Sequence, residues 1–204
     1  MDPEDVRQDW ADRSGKFSPT YYARLGPNEV SETLVDVLSH YAVDSAAVLE
    51  VGCGCGRHLN HLREHGFANL TGVDINAEAF EVMDDHYPRL AETGNFHTGA
   101  IEDLLPEFED DAFDVVYSVE TLQHVHPEDT WVFEDLVRVT DDLLVTAENE
   151  GNSPTRGRDS EVSYVDDDFP LYHRNWKEVF DDLGLAQLLC EPTARDTIRV
   201  FRGV

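Results

Sequence analysis

The sequence predicts an α/β fold: a mostly parallel sheet with helices on both faces. Two observations predict it. From residue 46 onward, short apolar runs alternate with segments of helical periodicity, the signature of strands joined by crossover helices. The first of these runs ends in three alternating glycines and leads straight into a helical pattern. Ligands on such sheets bind beyond the carboxyl ends of the strands, where strand order reverses. Those loops are therefore the ones to inspect.

The elements follow in order. A helix is expected near residues 2–12, then a loop carrying Gly15, Pro19, Gly26 and Pro27. A second helix spans 29–40, where Val30, Leu34, Val37, Leu38 and Tyr41 form an apolar stripe. Residues 46–51 are a buried strand, 57–65 a helix, 69–74 a strand and 77–86 a helix with Ala79, Phe80 and Met83 on one side. Strands are predicted at 96–98, at 112–119 and at 143–147, with a helix at 129–139 before the last. A helix at 175–183 ends at Gly184, and strands near 187–190 and 197–201 pair as an antiparallel edge.

At 204 residues the chain suits one domain with a sizeable core, with residues 1–42 as an N-terminal helical cap or lid. No stretch approaches the roughly 20 apolar residues that span a bilayer. The acidic, polar start is not a secretory signal. A cytoplasmic protein is the expectation, and composition leaves its oligomeric state open. Cys53, Cys55 and Cys190 are too few, and the first two too close, for a disulfide framework.

The charge balance is unusual. Forty-three acids against fifteen Lys and Arg give a formal net charge of −28, and the acids recur along the whole chain, including 166–168. Such a surface repels phosphate backbones, so a DNA or RNA substrate is not expected, with tRNA left open should a local basic patch exist. With only two lysines, Lys16 and Lys177, the pattern resembles that of proteins from salt-loving archaea.

The strongest local signal is Val48-Leu49-Glu50-Val51-Gly52-Cys53-Gly54-Cys55-Gly56-Arg57. Glycine permits positive φ and leaves backbone bare where a ligand must touch it. The next strand ends in Gly72-Val73-Asp74-Ile75-Asn76, which puts an acid twenty residues after Gly54. A carboxylate there can accept hydrogen bonds from both ribose hydroxyls of a nucleoside cofactor, and Ile75 can pack on the adenine face. A nicotinamide-dependent oxidoreductase shares these features, but its fingerprint is G-x-G-x-x-G. Counting from Gly52 the sixth place holds Arg57, and from Gly54 it holds Leu59. The acid Glu50 would repel a pyrophosphate and favour a cationic amino-acid end.

The segment from Glu50 to Gly56, Asp74, and the stretch Phe113-Asp114-Val115-Val116-Tyr117-Ser118-Val119-Glu120-Thr121-Leu122-Gln123-His124-Val125 resemble class I S-adenosylmethionine-dependent methyltransferases of the small-molecule type. The resemblance covers about residues 46–147. It implies a Rossmann-like, seven-stranded sheet whose last strand is inserted antiparallel. It implies S-adenosylmethionine as cofactor, with Gly52, Gly54 and Gly56 against its methionine part and Asp74 on its ribose. Ile101 and Glu102 would edge the adenine, because Ala100 stands where many relatives carry an acid. The backbone of Ser118 to Thr121 would lie near the amino-acid end, and the segment with Tyr21, Tyr22 and Arg24 would close over the cofactor. A cofactor-binding protein without catalysis shares the same motifs.

Methyl transfer needs an oriented nucleophile, and a base only where a proton must leave. Candidates beyond strand ends are His124, Glu148 and His173, with Glu120, His126, Glu150, Tyr172 and Arg174 nearby. Each has a plainer reading: His124 as loop packing, Glu148 and Glu150 as surface acids, and 172–174 as the anchor of the next helix. His58, His61 and His65 share a helix face, but their spacing with Cys53 and Cys55 matches no usual zinc pattern. They are expected to face solvent, and no metal is assigned.

Molar salt shortens the Debye length to about 3 Å and so screens the self-repulsion. Thermal unfolding is expected to be cooperative in molar KCl and to lose its cooperativity in dilute buffer. Identical unfolding curves in the two would remove the salt requirement.

Overall fold

The computed structural model describes residues 2–151, 162–165 and 169–203, so the acidic run at 166–168 lies outside the described residues. Three helices come first: α1 (Pro3–Ala11), α2 (Pro19–Leu25) and α3 (Glu29–Tyr41). The alternating part is β1 (Ala47–Val51), α4 (Arg57–Glu64), β2 (Asn69–Asp74), α5 (Glu78–His86), α6 (Pro88–Thr93), β3 (Asn95–Thr98), α7 (Ile101–Leu104) and β4 (Phe113–Val119). It continues through α8 (Val132–Arg138), β5 (Thr140–Glu148), β6 (Val162–Val165), β7 (Phe169–Tyr172), α9 (Trp176–Asp182), β8 (Leu185–Pro192) and β9 (Thr197–Gly203).

Seven strands form one sheet in the order β3-β2-β1-β4-β5-β9-β8. The pairs from β3 to β5 are parallel, and β9 runs antiparallel to both β5 and β8. This is the Rossmann-like class I arrangement that the motifs imply, with the last strand reversed. The order turns around between β1 and β4, which fixes where a ligand cleft must open.

Period-two alternation divides the strands between two cores. Val48, Val115, Tyr117, Val145 and Val200 face α3 and α4, whereas Leu49, Val116, Leu144 and Phe201 face α8 and α9. Helix α3 supplies Val30, Leu34 and Leu38 to the first core. Of the three helices before β1, α1 and α2 contribute residues to the cavity wall, whereas α3 packs in the core. Helix α4 packs on α3, and this reverses the expectation for two of the three histidines, while His65 is exposed as expected. His58 and His61 are buried; the first is 2.8 Å from the Ser31 hydroxyl and the second 3.3 Å from Glu32. Among the described residues no group of His, Cys, Asp or Glu is arranged to hold a metal ion. Nor is any helix there long and apolar enough to cross a membrane.

Three further differences have local causes. The loop expected around Pro19 contains α2, because Ser18 caps it through the Tyr21 N–H, Pro19 sits in its first turn and Gly26 ends it. The helix expected at 129–139 starts at Val132, after a short 3-10 turn at Pro127–Asp129. The small β6–β7 sheet has no counterpart among the expected elements, since Pro170 in β7 reads as a strand breaker.

Gly56 starts α4 in the left-handed region at φ 76°, and a Cβ there would lie 2.7 Å from both Leu90 Cδ2 and Met83 Cε. The third glycine of the turn thus serves close packing of α4 against α5 and α6. Gly56→Ala is expected to destabilise the fold by about 1–3 kcal/mol. A shift of the urea midpoint reads this out, and an unchanged midpoint would show that the contact relaxes freely.

Candidate active site

A cavity of about 200 Å³ opens at the carboxyl ends of β1, β2 and β4. Gly52, Gly54, Asp74, Ile75, Ile101 and Glu102 line it, together with Glu50 at the end of β1. Gly54 is at φ 53° with nothing within 4 Å of a notional Cβ, so bare main chain faces open space. A Cβ on Gly52 would overlap the Thr121 side chain, which closes the turn against the loop after β4.

Asp74 braces this turn. Its Oδ2 accepts from the Gly54 N–H at 2.7 Å and its Oδ1 from the Asn76 N–H at 2.8 Å. Burial raises its pKa against the pull of those two bonds. Each carboxylate oxygen keeps a further lone pair for hydroxyl donors. Glu50 is buried where alternation along β1 would place an apolar residue, and it accepts from the Tyr117 hydroxyl at 2.9 Å. Burial pushes its carboxyl up to about 8. Gly99, Ala100, Ile101 and Glu102 form the far end, and burial also raises Glu102.

The opposite wall is the loop after β4, with Glu120, Thr121, Gln123 and His124 on the cavity. Glu148 holds it from behind. This carboxylate is fully buried and does not line the cavity. It accepts from the Ser118 hydroxyl at 2.6 Å and from the N–H groups of Thr121, Leu122 and Gln123 at 3.2, 3.1 and 3.2 Å. Burial outweighs those donors and pushes it up to about 7. Ser118 is committed to the same bond and also faces away from the cavity.

These placements correct four expected roles. Glu148 positions the loop and does not reach the cavity. Gly56 packs helices, and of the stretch from Ser118 to Thr121 only Ser118 stays off the cavity, its hydroxyl bonded to Glu148. His173 lies outside the cavity, 2.7 Å from the Ser163 hydroxyl and 3.3 Å from the Asn149 carbonyl. Nor is Glu150 a surface acid, because its side chain is buried against Arg199 at 2.7 Å. Arg174 anchors the same loop by donating to the carbonyls of Val125 at 2.6 Å and Leu122 at 3.2 Å.

His124 does line the cavity. Its Nδ1 is 3.1 Å from the Pro170 carbonyl, which can only accept, so Nδ1 carries the proton and Nε2 the lone pair. Burial pushes its pKa down to about 4, and the ring is neutral near pH 7. Trp10 of α1 packs on it, with centroids 4.4 Å apart.

The cap brings residues that sequence reasoning missed. Trp10, Arg7 and Arg13 join Tyr22 on the cavity, whereas Tyr21 and Arg24 do not. Arg7 pairs with Asp129 at 2.7 Å, and the Asn76 amide donates to the Arg13 carbonyl at 3.1 Å. Arg57 and Arg195 line the cavity as well. The only signal for Arg57 in the sequence was its place directly after the glycine turn; Arg195 offered none.

Residues 48–142 match the family model described as a methyltransferase domain. A ubiquinone biosynthesis O-methyltransferase of Coxiella burnetii is 30% identical over 121 residues, which are 59% of this chain and 48% of the relative. The chain thus spans about half the length of the curated relatives it matches. Two solved structures share the fold. One is the magnesium protoporphyrin IX methyltransferase of Synechocystis with bound SAH, with TM-score 0.68, 17% identity and full coverage of both chains (100%). The other is a Haloferax volcanii putative methyltransferase in complex with the Trm112 activator, with TM-score 0.69, 18% identity and coverage of 99% and 97%. The fold is therefore that of class I methyltransferases, and β1 to the start of β5 are the part that is similar to the methyltransferase domain model.

A buried acid whose folded pKa is raised favours folding while protonated. That contribution is complete below its unfolded value and is lost as pH rises through the folded one. It amounts to about 1.4 kcal/mol for each tenfold difference in proton affinity between the two states. With Glu50 near 8 and Glu148 near 7, stability at fixed salt is expected to fall from about pH 5 to about pH 8. Glu50→Gln is expected to flatten that fall in denaturant titrations. An equally steep fall in the variant would mean that Glu50 ionises without cost.

Proposed function

We propose that the chain is an S-adenosylmethionine-dependent methyltransferase acting on a small-molecule acceptor. The observation that carries this reading is the Asp74 carboxylate bonded to Gly54 beside bare main chain in the cavity. The donor set fits the cofactor. Asp74 would take the ribose hydroxyls, and Ile75 and Ile101 would flank the adenine with Glu102 at its edge. The cationic amino-acid end would draw Glu50 into its ionised form and pair with it, with Gly52 against it. When bound, S-adenosylmethionine supplies an electrophilic methyl group.

The chain's own residues do the rest. The Asp74–Gly54 brace and the loop held by Glu148 present a rigid trough, so orientation is built in before an acceptor arrives. Helix α1 and Tyr22 exclude water from above. His124, neutral and with a free lone pair at Nε2, is the proposed proton acceptor where the nucleophile must lose a proton. A neutral ring can also stand near a cationic methyl donor without repelling it. The net charge of −28 supports a small acceptor over nucleic acid and a cytoplasm of high ionic strength as the setting.

A nicotinamide oxidoreductase is disfavoured by the reversed β9 and by Glu50 beside the turn. A cofactor-binding protein without turnover is separated by assaying SAH formation with a metabolite extract. Asp74→Ala is expected to weaken SAH binding by about 2–3 kcal/mol, roughly 30- to 150-fold, in calorimetry. Asp74→Asn, which keeps one acceptor for the loop, controls for collapse of the turn. Wild-type affinity in both variants would defeat the reading.

A further inference from the structure

Among the described residues four arginines line the cavity, and three are occupied. Arg7 pairs with Asp129, and Arg195 with Glu120 at 2.8 Å. Arg13 donates to the Lys16 carbonyl at 2.8 Å and lies over the Phe169 ring, 4.1 Å from its centroid. Arg57 differs. It is buried, with 8% of its surface exposed, and it makes no ion pair with a described carboxylate. Its one hydrogen bond is a long 3.5 Å contact to the Gly26 carbonyl, and its guanidinium lies 4.9 Å from the centre of the Tyr22 ring. Guanidinium carries five N–H donors, and a buried charge without a partner is costly. None of its nitrogens is sealed off without a partner. The open space beside this buried side chain is the cavity.

Arg57 meets the cap at Gly26 and Tyr22 and has no hydrogen bond or ion pair with Asp74 or Glu102 among the described residues. Arg57 lies over the Tyr22 ring, Arg195 stands next to the buried Asp196 in the turn between β8 and β9, and both arginines line the cavity. Glu50 senses Arg57, but its carboxyl is already bonded to Tyr117. Glu120 holds Arg195 at the rim, where that side chain is 60% exposed.

We propose that this part of the cavity is an anion seat and that the methyl acceptor carries a carboxylate, held by Arg57 with Arg195 and the Tyr22 hydroxyl beside it. This rests on the methyltransferase reading above. A planar two-oxygen group matches the guanidinium fork. A single negative charge suits a cavity that also holds Asp74, Glu102 and Glu120, which would repel a dianionic phosphate more strongly. The competing occupant is the carboxylate of the cofactor's own amino-acid end.

The test uses SAH-saturated protein at constant KCl, with benzoate and butyrate as probes against their neutral amides, benzamide and butyramide. At least one acid is expected to raise the unfolding temperature and to bind about tenfold or more tighter than its amide. In Arg57→Gln that preference disappears, while SAH binds within about threefold of wild type. Should Arg57→Gln fail to fold, Arg195→Gln at the exposed rim position is expected to weaken the same acid several-fold and leave its amide unchanged. The proposal is overturned if acids and amides behave alike or if neither acid binds. A loss of SAH affinity of about tenfold in Arg57→Gln also overturns it, because the arginine then serves the cofactor. Failure of wild-type protein to bind SAH is a separate result, and it removes the methyltransferase reading itself.

Discussion

The cleft depends on one carboxylate that satisfies backbone donors from two loops at once. Asp74 ends β2, yet one of its oxygens bonds the turn after β1 and the other bonds its own loop at Asn76. A charged acceptor makes such bonds shorter and about twice as strong as neutral ones. The turn is thereby set before any ligand binds, with Gly54 facing open space. Asn76 in the same loop reaches the main chain of the cap at Trp10 and Arg13. Roof and floor of the cavity thus share a support.

Glu148 repeats the device on the other wall, gathering three successive N–H groups and one hydroxyl at the end of β5. In a chain of such acidity, the carboxylates that shape the site are the few that point inward. Each gives up hydration, and the cost appears as the raised pKa of Glu50, Asp74 and Glu148. The exposed majority sets the demand for screening salt and leaves the cleft geometry alone.

The sheet was readable because most of its strands centre on short apolar runs and its first turn carries three alternating glycines between a strand and a helix. The ends of helices were less readable. Ser18, Pro19 and Gly26 are boundary signals of α2, and in isolation they look like a loop. Which way a side chain faces at a strand end was the weakest inference. Ser118 and Glu148 stand where site residues belong, yet register turns them toward each other. The three glycines of the turn look equivalent in sequence, although only Gly52 and Gly54 border the cavity. Trp10, Arg57 and Arg195 come from three distant parts of the chain, and no local pattern announces their meeting.

The reversed direction of β9 has a consequence for how this fold can change. Because Thr197 pairs with Glu148 at the end of β5 and with Pro192 at the end of β8, residues 193–196 emerge over the cleft. Had β9 run the other way, that connection would have crossed to the far edge of the sheet, and the last part of the chain would only buttress it. Within this short turn Thr193 and Asp196 bond to each other and hold its shape. Arg195, exposed between them, can be exchanged without touching either strand, so one wall of the cavity can change while the walls at Asp74 and Ile101 stay as they are.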